Sequence, residues 1–157
     1  MRTIVGAGFK PVFFTILVVS CIMAPQVVRA SKPLPARVRF APVHVYLDPA
    51  GRPLAAYQFE LKATSGQIKI VGVEGGEHPA FREAPYYDPA ALQNERIIIA
   101  AFNTGSDLPT TRTRIATIHL QITGDAEPKY ALSLTTAADA NGENLSVEIT
   151  LEKGERK

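Results

Sequence analysis

The chain has 157 residues, 46% hydrophobic and 20% charged, with a formal net charge of +2. A single cysteine excludes a disulfide scaffold, and the small net charge implies no basic face for nucleic acid. This length suits one domain with a core of its own.

The N-terminus reads as an export signal. Arg2 and Lys10 are the only charges before an apolar run from Pro11 to Ala24. Pro25 follows, and Val28-Arg29-Ala30 places suitable residues at −3 and −1 of a cut between Ala30 and Ser31. The run of 14 residues falls short of the ~20 needed to span a bilayer, so a cleaved signal peptide over 1–30 is preferred to an anchor. An alternative route runs through Val18-Val19-Ser20-Cys21, which resembles a bacterial lipoprotein box that would lipidate Cys21. Ile22, Met23 and Ala24 prolong the apolar run where that route expects a polar tether. Three of the 17 basic residues leave with the leader, so the exported 127 residues carry 14 against 15 acids, a net charge of −1.

Residues 31–36 (Ser31, Lys32, Pro33, Leu34, Pro35, Ala36) predict an extended linker. The first strand begins at Arg37, with Val38 and Phe40 on one phase and Val43, Val45 and Leu47 on the other. The Ala41-Pro42 step between them predicts a bulge or an edge crossing. Asp48-Pro49-Ala50-Gly51 is a turn signal. It opens the clearest amphipathic strand of the chain, Leu54–Ala63, where Tyr57, Phe59, Leu61 and Ala63 alternate with Gln58, Glu60 and Lys62. A third strand, Gln67–Glu74, changes phase at Gly72 and reads as kinked.

Residues 75–94 show no periodicity and predict a long loop, with Asp88 capping one helical turn at Pro89-Ala90-Ala91. Arg96–Asn103 is a continuous apolar run rich in isoleucine, which predicts a central strand buried on both faces. Arg112–Thr123 alternates Ala116, Ile118, Leu120 and Ile122 with outward Thr117, His119 and Gln121. Tyr130, Leu132 and Leu134 form the next strand, Asp139 to Gly142 a turn, and Leu145 to Leu151 the last strand. The tail, 152–157, predicts a fraying end. The exported chain thus reads as all-β: an antiparallel jelly-roll β-sandwich of about 8–9 strands, in one domain over 37–151.

The order of these motifs resembles the cohesin domain. It rests on the Asp48-Pro49-Ala50-Gly51 turn, the strand with Leu54, Tyr57, Gln58, Phe59 and Leu61, and the stretch Ile68, Ile70, Val73, Gly76. Ile97–Phe102, the strand with Ile115, Ala116, Thr117, Ile118 and Leu120, and Ala138, Asp139, Asn141 and Gly142 complete the series. Lys62-Ala63-Thr64 departs from the aromatic-Asp pair that cohesins commonly carry there. The resemblance implies a jelly roll of nine strands, related to cellulose-binding modules, that acts by binding without catalysis. Cohesins of cellulose-degrading assemblies bind dockerins through one sheet face, so a dockerin-like or other envelope protein is the implied partner. A polysaccharide is the alternative.

Candidate sites are few. Tyr86 and Tyr87, with Phe81 and Arg82 nearby, form the best recognition patch, since rings on a loop stack on sugars or fill a partner's pocket. The same rings also suit the end of a sandwich core. The histidines, His44, His78 and His119, lie on two strands and a loop with no metal-ligand spacing, and no cofactor is implied. His44 and His119 meet only if their strands pair in register. Asp139, Asn141 and Glu143 fail the calcium-loop pattern, because the twelfth position is Thr150, and read instead as a turn. Glu74, Glu77, Glu83 and Asp88 are the acids that glycoside chemistry would recruit, and no serine has a nucleophile-elbow context. A binding module is the expectation, and a small hydrolase the weakest of three alternatives.

Overall fold

In the computed structural model, residues 36–154 are described. The expected signal peptide, its expected cut between Ala30 and Ser31, Cys21 and the expected linker up to Pro35 lie outside the described residues. Eight strands form two four-stranded sheets: β1 (Val38–Asp48), β2 (Ala56–Ser65), β3 (Gln67–Gly75), β4 (Tyr86–Tyr87), β5 (Arg96–Phe102), β6 (Thr113–Thr123), β7 (Lys129–Ala138) and β8 (Glu148–Lys153). The first sheet has the order β3-β6-β1-β8 and the second β4-β5-β2-β7, and the pairings are antiparallel. Strands 1, 3, 6 and 8 against 2, 4, 5 and 7 is the partition of a jelly roll, produced by a chain that crosses between sheets at nearly every connection.

Period-two alternation puts one face of each strand into a shared core. Val43, Val45 and Leu47 of β1 meet Tyr57, Phe59 and Leu61 of β2, with Ile97 and Ile99 from β5 and Ile118, Leu120 and Ile122 from β6. Each such side chain contributes about 1.5–3 kcal/mol on burial, which is how a chain without disulfides holds two sheets together.

Local departures from the sequence expectations have physical causes. The register of β1 runs unbroken past Pro42, so no bulge forms there. Val38 and Phe40 simply face outward, 50% and 64% exposed. Pro42 instead marks the edge crossing: β8 pairs with β1 only from Val43 onward, and the Pro42 carbonyl accepts from Gly154 N at 3.0 Å. The missing N–H therefore falls where the ladder ends. The bulge in this pair lies further on, where Val45 faces Ala116 and Tyr46 faces Arg114. The extra residue, Ile115, is fully buried, and its carbonyl accepts from the Tyr57 hydroxyl at 2.9 Å. Burial pushes the Tyr57 hydroxyl's pKa well above its ordinary value. The kink expected in β3 is present as a register shift between Ile70 and Gly72.

At the chain end, Glu152 and Lys153 do not fray. They stay in β8, opposite His44 and Val43.

The turn at Asp139 is a clamp. One carboxylate oxygen accepts from the backbone N–H of Asn141 and Glu143 at 2.9 and 3.0 Å, while the other meets Arg52 at 2.6 Å. Burial raises the carboxyl's pKa, but those N–H groups and Arg52 outweigh it and hold it below the ordinary aspartate value. Gly142, at φ +80, closes the turn in the left-handed region.

Candidate functional site

The outer face of the second sheet is built around β5. Its odd residues are inward, with Ile97 1% and Ile99 0% exposed. Its even residues point the other way, where the expectation of burial on both faces fails: Ile98 is 40% exposed and Phe102 65%. The physical reason is visible in the neighbour. Gln58 lies beside Ala100, Glu60 beside Ile98 and Lys62 beside Arg96, so the β2 side of this face is polar and wet.

Tyr86 completes the apolar stripe. It pairs with Ala100, whose small side chain leaves room, and it is 68% exposed. Its ring lies 6.0 Å from that of Phe102, with the planes 9° apart. A hollow of about 640 Å3 opens beside it, lined by Tyr86, Asp88, Asn94, Arg96, Ile98 and Ala100. The rim is charged: Arg96 meets Glu60 at 2.5 Å, and that hydrogen bond holds the Glu60 carboxyl below its usual value. An exposed apolar cluster with a polar rim is the anatomy of a docking surface.

The loop that delivers Tyr86 is pinned from within. His78 Nδ1 accepts from Ala80 N at 3.2 Å and caps a 3-10 turn, Pro79–Phe81. Phe81 is 3% exposed and packs edge-on against Tyr57, with centroids 5.1 Å apart. The Phe81 carbonyl accepts from Gly76 N at 2.7 Å, and Asn103 Nδ2 donates to Ala80 O at 2.9 Å. A second 3-10 turn, Pro89–Ala91, is capped by Asp88, whose Oδ1 accepts from Ala90 N at 2.8 Å.

The four residues expected to form one patch therefore part company. Phe81 belongs to the core, because its ring is needed to close the end of the sandwich. Arg82 is exposed but lines neither of the hollows that flank Tyr86. Tyr87 is half-buried and packs on the core. Of the three rings only Tyr86 is exposed, and it lies beside Phe102 and Ile98, which a strand buried on both faces would have kept in the interior.

The other candidates are accounted for locally. Among the described residues no group of three or more His, Cys, Asp or Glu is arranged to hold a metal. Glu77 accepts from the Arg114 N–H at 2.9 Å and from the Thr113 hydroxyl at 3.2 Å. Asp88 is a cap, and Glu74 lies 2.9 Å from His119. His44 and His119 do share a face, as register requires: Pro42 faces His119 and His44 faces Thr117.

The chain has a counterpart among solved structures. It is similar to a chain of a type I cohesin–dockerin complex from Clostridium thermocellum, with a TM-score of 0.50 and 19% identity. The match covers 71% of this chain and 83% of that one. The fold is cohesin-like. No family model matches the sequence, and no curated protein matches it. The cohesin-like sandwich described here has eight strands where the resemblance implied nine. Among its described residues no helix is long and apolar enough to cross a membrane.

Proposed function

We propose that this chain is an exported, non-catalytic binding module that docks a protein partner on the outer face of its second sheet. The observation that carries the reading is the outward half of β5. A strand whose exposed side presents Ile98 and Phe102, extended by Tyr86, leaves apolar area in water that a partner would cover. The similar structure is that of a cohesin with a dockerin, a protein-binding pair, which supports a protein over other ligands.

The test is a comparison of two baits prepared from the full chain, native and Tyr86→Ser/Phe102→Ser, against the envelope fraction of the source organism. Both rings are exposed, so the variant keeps its stability. A partner held by the native chain is expected to weaken by two orders of magnitude or more, from two hot-spot truncations of about 2 kcal/mol each. Equal retention by both baits refutes this surface. Binding of a polysaccharide that disappears in the variant would assign the stripe to carbohydrate instead.

Export belongs to the same proposal and rests on residues 1–30. The secreted form should begin at Ser31 by intact mass. A mass that begins with an acylated Cys21 would replace cleavage at Ala30 with a lipid anchor.

A further inference from the structure

The outer face of the first sheet carries a different hollow, of about 780 Å3, within the range of small-molecule sites. Register assembles it. Across β1 and β6, Pro42 faces His119 and His44 faces Thr117, and across β6 and β3, His119 faces Gly72 and Thr117 faces Glu74. The His119 side chain packs over Gly72, where an added Cβ would lie 3.7 Å from its ring. Phe40, Pro42 and Val71 form an apolar wall, and Phe40 is 64% exposed.

Arg114 gives this hollow its chemistry. Its side chain lines the hollow, its Nε is buried without a hydrogen-bond partner, and it makes no ion pair among the described residues. The other arginines among the described residues are different. Arg37, Arg39, Arg52, Arg96 and Arg112 each lie within 4.0 Å of a carboxylate, and Arg82 is exposed to solvent. The buried Nε of Arg114 forfeits hydration that nothing on the protein returns. His119 Nε2 is also buried without a hydrogen bond, although Glu74 Oε1 is 2.9 Å away, off the line a bond requires. Two buried nitrogens without hydrogen bonds thus belong to side chains that line one cavity.

We infer that this hollow binds a monocarboxylate with an apolar body, its carboxylate on Arg114 and its body against Phe40, Pro42 and Val71. Arginine presents two parallel N–H groups that match a carboxylate. Glu74 lies in the same hollow and opposes a second negative charge, which favours a monoanion over phosphate or sulfate. Burial, reinforced by Arg114 and His119, holds His44 below the usual histidine range despite Glu152 and Glu74. These neighbours favour its neutral imidazole, whose Nδ1 lies 3.0 Å from the Thr117 hydroxyl.

The three histidines supply the readout. Titrating the full chain with 3-phenylpropionate at pH 7 should shift the ring protons of His44 and His119 saturably, near or below about 1 mM. His78, which caps a turn outside the hollow, should stay in place. Arg114→Gln is expected to weaken the probe about tenfold or more, as loss of a charge-assisted bond does. The Arg114 backbone, which bonds Glu77, is unaltered by that change. Phe40→Ser, at an exposed site, should weaken it as well and guards against a folding effect. Equal binding of the neutral 3-phenylpropanamide, unchanged binding in Arg114→Gln, or no saturable shift by about 10 mM would each overturn the assignment.

Discussion

Phe59→Ala is expected to destabilise the sandwich by about 3–5 kcal/mol, read as a lower denaturation midpoint with an unchanged slope. Phe59 is 0% exposed and sits at the centre of β2, with Ile99 across one ladder and Leu134 across the other. Its ring lies 6.0 Å from that of Tyr57, which in turn satisfies the bulge carbonyl at Ile115. The cavity left by truncation lies between two sheets, and β2 is held by ladders on both sides, so the site closes on it only in part. A domain of this size has about 5–15 kcal/mol in total, so the variant should approach the edge of folding at ambient temperature. A loss below about 1 kcal/mol would mean that Phe59 is not a core residue.

That prediction was legible in the sequence, because β2 shows period-two alternation with polar residues on its outer phase. The error on β5 came from the same rule applied without its neighbour. Arg96–Phe102 has apolar residues on both phases, and in isolation such a run reads as buried on both sides. β2, which pairs with it, carries Gln58, Glu60 and Lys62 on the shared outer face. Two adjacent strands of one sheet share their solvent side, so Ile98 and Phe102 had to be at least partly wet. The pairing of β2 with β5 is non-local, and no local pattern reports it. Phe81 was misplaced for the related reason that aromatic residues in a loop look alike whether they cap a core or face out. Arg114 and His119 became neighbours of His44 only through the register of β1 on β6, in which the bulge at Ile115 decides which residue faces Tyr46.

The two faces also differ in kind. On β5 the unexplained feature is apolar area without a cover, which calls for a macromolecular surface. On β6 it is a donor without an acceptor, which calls for a small anion. The sequence signals are correspondingly unequal. An exposed tyrosine next to a proline-rich loop stands out, whereas one arginine among many does not, until its lack of a carboxylate is seen in three dimensions.

Gly76→Ala should cost about 3 kcal/mol or more and should also disturb the Tyr86 surface. Gly76 is buried at the exit of β3, where the backbone crosses β6. An added Cβ would overlap the Arg114 carbonyl oxygen and lie 3.0 Å from Ile115 Cα. Both obstacles are backbone, and the Arg114 carbonyl is already committed to Glu77 N at 3.0 Å, so neither can rotate away. Relief must come from moving the loop. Gly76 N is the donor that holds the Phe81 carbonyl, so displacement passes to the 3-10 turn and then to Tyr86, five residues on. Gly142→Ala is the control. Its added Cβ meets nothing within 4 Å, and only the φ of +80 opposes it, at about 1–2 kcal/mol. Partner binding should persist in Gly142→Ala and fall in Gly76→Ala under conditions where both remain folded. Equal stability losses in the two variants would show that the strand-to-loop junction yields more readily than its backbone contacts imply.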